Sequence, residues 1–111
     1  MQRHLWRMLW LLVAFVLPVP LACGATADSS RAVYEANCAS CHGADGASDT
    51  PVGRAMEISS FVGSGLAETT PEAICEKLEA SDKHRSVVKK LDPQALAASC
   101  ARVKELAAGQ G

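Results

Sequence analysis

Cys38, Cys41 and His42 are the residues of this 111-residue chain best placed to do chemistry. They stand in the run Cys38-Ala39-Ser40-Cys41-His42. On a helical turn, i and i+3 thiols fall on one side. Two thiols so placed can add across the two vinyl groups of a haem and form thioethers. The imidazole that follows then sits beneath the iron and supplies an axial nitrogen. C-x-x-C-H is the pattern of covalent c-type haem attachment. Two other chemistries use the same atoms. Cys38 and Cys41 could be a redox dithiol, which normally needs a βαβ setting that the sequence does not offer. Cys38, Cys41, Cys75 and Cys100 could hold a structural zinc, although the second pair is too widely spaced for a zinc ribbon. One covalent haem c is therefore the expected cofactor.

The rest of the chain must position those residues. Its length allows one small domain. A net charge of −1 with 21% charged residues is not that of a basic nucleic-acid binder. The N-terminal residues differ from the remainder. Arg3 and Arg7 are followed by an apolar run from Leu9 to Leu17, then Pro18, Pro20 and small residues from Ala22 to Ala27. This is the order of a secretory signal peptide, and the apolar run is short for a membrane span. Ala25-Thr26-Ala27 fits an A-x-A cleavage site, giving a signal segment over 1–27 and a mature domain over 28–111. Two alternatives are a lipid anchor on Cys23, for which Pro20 makes a poor signal, and a retained N-terminal anchor. Export implies a periplasmic or otherwise extracytoplasmic location.

The mature segment keeps nine of the 11 Lys and Arg and all 12 acidic residues, so its charge is −3. Tyr34 and Phe61 are its only aromatics. A domain this small with so little core material usually needs a disulfide, metal or cofactor. Ser29 or Ser30 is expected to cap a first helix running to about Ser40. Gly43 to Gly53 reads as loop, and Arg54 to Phe61 as a helical turn followed by extended chain, broken at Gly63-Ser64-Gly65. Thr70-Pro71 and Asp92-Pro93 are helix starts with Pro in the first turn. The first of these helices ends near Ser81, and the second carries an apolar stripe at Leu96, Cys100, Val103 and Ala107. No strand pattern or repeat is found, so the domain is expected to be all-α.

The segment from Tyr34 to Gly46, YEANCASCHGADG, resembles the haem-binding start of a class I monohaem cytochrome c. Thr50-Pro51-Val52-Gly53 resembles the loop after the haem site in small bacterial members, and Leu91-Asp92-Pro93 the start of their last helix. The resemblance runs from about Arg31 to Leu106. It implies a helical fold wrapped around one haem, with the N- and C-terminal helices crossing. In that family a Met, commonly in Met-Pro-x-Phe, is usually the second axial ligand. Here the corresponding stretch is His84-Arg85-Ser86-Val87. His84 falls where the Met would be, Arg85 replaces the Pro and Val87 the aromatic, and Arg102 stands near a usual aromatic position. Met56, the sole Met after the signal segment, lies 14 residues beyond His42, where the family tends to carry an apolar packing residue. Three readings follow: His84 ligates iron, Met56 does, or neither does. The first is the working expectation, with Met56 packed in the core.

Cys75 and Cys100 each fall on the buried face of an expected helix, and an oxidising compartment permits a disulfide between them. Two separate buried thiols are the alternative. The expected role is that of an electron carrier or electron-transfer subunit, not an enzyme in its own right, working between redox partner proteins. The basic residues Lys83, Arg85, Lys89 and Lys90 could dock an acidic partner or simply be a solvated charge run. A haem-based sensor with a displaceable sixth ligand is the second class.

Overall fold

Four side chains start four helices in the same way. Thr26 accepts from the Ser29 N–H at 3.3 Å, Thr50 from Gly53 at 2.8 Å, Thr70 from Ala73 at 3.2 Å and Asp92 from Ala95 at 2.7 Å. Each satisfies one of the donors that a helix leaves free at its N-terminus. The computed structural model describes residues 26–111. Arg3, Arg7, the apolar run and Cys23 lie outside the described residues, as does nearly all of the expected signal segment.

The caps open α1 (Ala27–Asn37), α3 (Pro51–Ala55), α4 (Pro71–Ala80) and α6 (Pro93–Ala107). Two shorter helices, α2 (Ala39–His42) and α5 (Arg85–Val88), complete the set, with 3-10 turns at Leu66–Glu68 and Asp82–His84. No strand occurs among the described residues. The domain is all-α. Both α1 and α4 pack on α6, which also touches the Leu66–Glu68 turn. No helix among the described residues is long and apolar enough to cross a membrane.

The core is Tyr34, Ile74, Ala98, Cys100, Leu106 and Ala107. Cys75 on α4 and Cys100 on α6 are joined by a disulfide, with their Cα atoms 5.6 Å apart. Arg102 is also buried, and its Nη1 donates to Glu105 Oε2 at 3.0 Å and to the Gln110 carbonyl at 3.1 Å. That holds the end of the chain back against α6.

The starts of α4 and α6 are those expected. Three local features differ. The first helix is capped by Thr26, not Ser29 or Ser30, and breaks at Cys38 into α1 and α2. The Gly43–Gly53 stretch is not all loop, because Thr50-Pro51 carries the same start signal as Thr70-Pro71 and opens α3. Met56 is not packed in the core. It ends α3 and is 60% exposed.

Candidate haem site

Three successive carbonyls around His42 are tied down. The Cys41 carbonyl accepts from Thr50 Oγ1 at 2.8 Å. That of His42 accepts from the Ser48 N–H at 2.7 Å. That of Gly43 accepts from the Tyr34 hydroxyl at 2.8 Å. The motif itself is a turn, with Cys41 and His42 both donating to the Cys38 carbonyl at 3.2 and 3.0 Å. Gly53 makes the close approach possible. A Cβ there would lie 2.2 Å from the Ser48 carbonyl oxygen and 2.7 Å from that of Cys41. Gly46, at φ +74°, also admits a close approach, since a Cβ there would lie 2.9 Å from Phe61 and 3.2 Å from Leu106.

These constraints set Cys38, Cys41 and His42 on the wall of a cavity of about 580 Å³. That lies within the roughly 300–1,000 Å³ common for cofactor pockets. Its lining is mostly apolar, with Leu66 and Ile74 among the contributors. His84, from the 3-10 turn after α4, lines the same cavity. The His42 and His84 ring centroids are 6.0 Å apart and the ring planes differ by 16°. Met56 lines the cavity as well.

The electrostatics suit a ligand site. Burial, and then the charge of His84, lower the pKa of His42 and favour its neutral imidazole. Burial, and then Cys41, raise the pKa of Cys38 and keep it a thiol. Tyr34 is raised above the ordinary tyrosine range, first by burial and then by Cys38 and Asp45, against a smaller opposing effect of Arg102. His42 Nδ1 is buried without a hydrogen-bond partner among the described residues. His84 Nδ1 instead lies 2.9 Å from Ser81 Oγ.

A family model for cytochrome c matches residues 27–98. The chain belongs to the cytochrome c family. No curated protein and no solved structure gives a significant match. Cytochromes c bind haem c covalently and use it for electron transfer, which implies redox partner proteins.

The residues of this cytochrome fit that group. Cys38 and Cys41 are unbonded thiols on the cavity wall, and His42 stands beside them with a buried nitrogen that has no partner among the described residues. The four-cysteine arrangement is not built, since Cys75 and Cys100 pair with each other. Among the described residues no three His, Cys, Asp or Glu converge as ligands for a bare metal ion.

Sequence reasoning does not assign Phe61, Ser81 or Ser99 to the site. Phe61 stacks on His42, with ring centroids 4.5 Å apart. Its rank as one of two aromatics in the domain was the available signal. Ser81 and Ser99 line the cavity too, and nothing in their sequence context marks them. Of the basic residues, Lys83 lines the cavity rim, Arg85 is paired with Asp82, and Lys89 and Lys90 are exposed.

Proposed function

We propose that this cytochrome is an exported, class I-type monohaem electron carrier whose iron is held between His42 and His84. The observation that carries the reading is the pair of nearly parallel imidazoles, 6.0 Å between centroids, that line one cavity whose wall also bears two free thiols. Bound haem supplies a one-electron iron couple. The protein's part is to hold and tune it. Cys38 and Cys41 fix the ring covalently, and His42 and His84 supply neutral nitrogens. Leu66, Ile74, Leu78 and Val103 exclude water. Two histidines in place of His and Met favour a lower potential, because Met ligation raises it.

Lys83, Lys89 and Lys90 give the His84 edge a cationic rim suited to an acidic redox partner. Electron transfer through such a contact slows as salt screens it. The positive, apolar and small-residue order of residues 1–27 supports export. Cleavage after Ala27 would remove the Thr26 cap of α1 and pass that role to Asp28 or Ser29, both favoured cap types. Intact mass of the secreted protein locates the cut, and a lipid on Cys23 would appear as added mass.

The deciding experiment is the optical spectrum of the haem-loaded protein, ferric and ferrous. Low-spin haem without the weak far-red band of Met–iron ligation is the expected result. That band would make Met56 the ligand. A high-spin ferric spectrum would instead favour a sensor with an open sixth position.

A further inference from the structure

Ser81 touches the candidate sixth ligand twice. Its side-chain oxygen lies 2.9 Å from His84 Nδ1, and its carbonyl accepts the His84 N–H at 3.1 Å. Ser81 is also the C-cap of α4, and its own N–H donates to the Leu78 carbonyl at 3.2 Å. The helix it ends is bonded to α6 through Cys75–Cys100. Ser81 thus ties His84 to the end of α4, which is cross-linked to α6.

We propose that Ser81 is a positioning residue for His84, its hydroxyl accepting the Nδ1 proton so that Nε2 is bare and aimed into the cavity. The inference rests on the reading of His84 as an iron ligand. A neutral imidazole carries one proton, and the nitrogen that donates it fixes the other as the ligating one. Partners of this kind orient metal-bound histidines and raise their basicity, and losing one typically costs 10–100-fold in affinity. Among the described residues no equivalent partner meets His42, whose Nδ1 makes no hydrogen bond with them. The two ligands therefore differ in kind: one is oriented by thioether bonds on its neighbours, the other by a serine hydroxyl. Ser81 is half-buried and lines the cavity itself, so removing its oxygen acts at the site without opening the core.

The test uses the covalently haem-loaded protein and titration with free imidazole, read by ferric optical and electron-paramagnetic-resonance spectra. Ser81→Ala is expected to bind free imidazole about 10-fold more tightly than the parent, because His84 competes less well. Ser81→Thr keeps a hydroxyl and should restore parental behaviour. His84→Ala should be high-spin before any imidazole is added. If Ser81→Ala titrates like the parent while His84→Ala is high-spin, the Ser81 role is wrong and His84 ligation stands. Equal loosening in Ser81→Ala and Ser81→Thr would mean that packing, not the hydroxyl, places the ring, and it too would overturn the proposal. An unchanged low-spin spectrum in His84→Ala would remove the ligand reading, and the Ser81 inference with it.

Discussion

On the His42 side of the cavity, the carbonyls of Cys41, His42 and Gly43 are each bound by a donor from elsewhere in the chain, two of them nine residues away. On the His84 side the backbone is a 3-10 turn followed by one short helix, bonded only locally, and the ring nitrogen meets a serine. One imidazole is placed by its main chain, the other by its side chain. The difference suits the ligand roles proposed for them. His42 is adjacent to Cys41, so covalent attachment fixes it once the local backbone is right. His84 is 42 residues further on and adjoins no attachment cysteine, so orientation must come from its neighbours.

The sharpest way to break this comparison is to remove each imidazole in turn. His42→Ala should prevent a normal low-spin haem altogether. His84→Ala should leave attachment intact and give a high-spin ferric spectrum. His84→Met should raise the potential, by an amount on the order of 0.1 V within the ~0.8 V span that axial ligands cover. Spectroelectrochemistry reads all three, and a His84→Met protein at the parental potential would show that His84 is not on the iron.

Next in size is the staple behind the His84 side. Cys75→Ser/Cys100→Ser removes a cross-link spanning 25 residues. In the chain-entropy account that costs about 3 kcal/mol. Urea unfolding followed by the haem band measures it, and His84 ligation should weaken before His42 ligation does.

On the His42 side, Tyr34→Phe leaves the Gly43 carbonyl buried without its donor, a loss of about 1–3 kcal/mol. It also changes the response to alkali. The folded state keeps the phenol protonated to higher pH than the unfolded chain, which releases the proton near pH 10. Above that pH the unfolded state binds fewer protons, so parental stability falls as pH rises. Tyr34→Phe should flatten this decline, and unfolding curves at several alkaline pH values check it.

The smallest effect is expected from Thr50→Ala. It deletes the α3 cap and the bond to the Cys41 carbonyl, for about 1–2 kcal/mol. The optical spectrum of the loaded protein should be unchanged, because the thioethers then hold the ring.

The asymmetry also explains what could be read from the sequence. Cys38, Cys41 and His42 are contiguous, and their chemistry depends on local spacing. Thr70-Pro71 and Asp92-Pro93 carry cap and Pro together, and both helices start there. Thr50-Pro51 bears the same signal but is surrounded by Gly, Ser and Asp, whose loop propensity outweighed it. The stripe on α6 was only half legible. Leu106 is its most buried leucine, yet Leu96 and Val103 marked the expected face. The helix has two faces to fill, one carrying Ala98 and Ala101 beside Ala27 and Ser30 of α1, the other carrying Ser99 and Val103 at the cavity. One periodic pattern cannot separate an apolar face made for a helix from one made for a cofactor. Ser81 is illegible for a similar reason, since its role exists only where α4 ends against the next turn.

The Cys75–Cys100 bond encloses Ser81, His84 and five cations, Lys77, Lys83, Arg85, Lys89 and Lys90, all of them exposed. Those cations are the cleavage sites of trypsin-like proteases. A cut after Lys89 or Lys90 would put His84 and α6 on separate polypeptides that still travel as one molecule, heavier by a single water. Only reduction would part them. Under oxidising conditions the backbone beside the haem can thus be severed with no fragment lost, and damage there would show in the spectrum of the iron before it showed in the size of the protein.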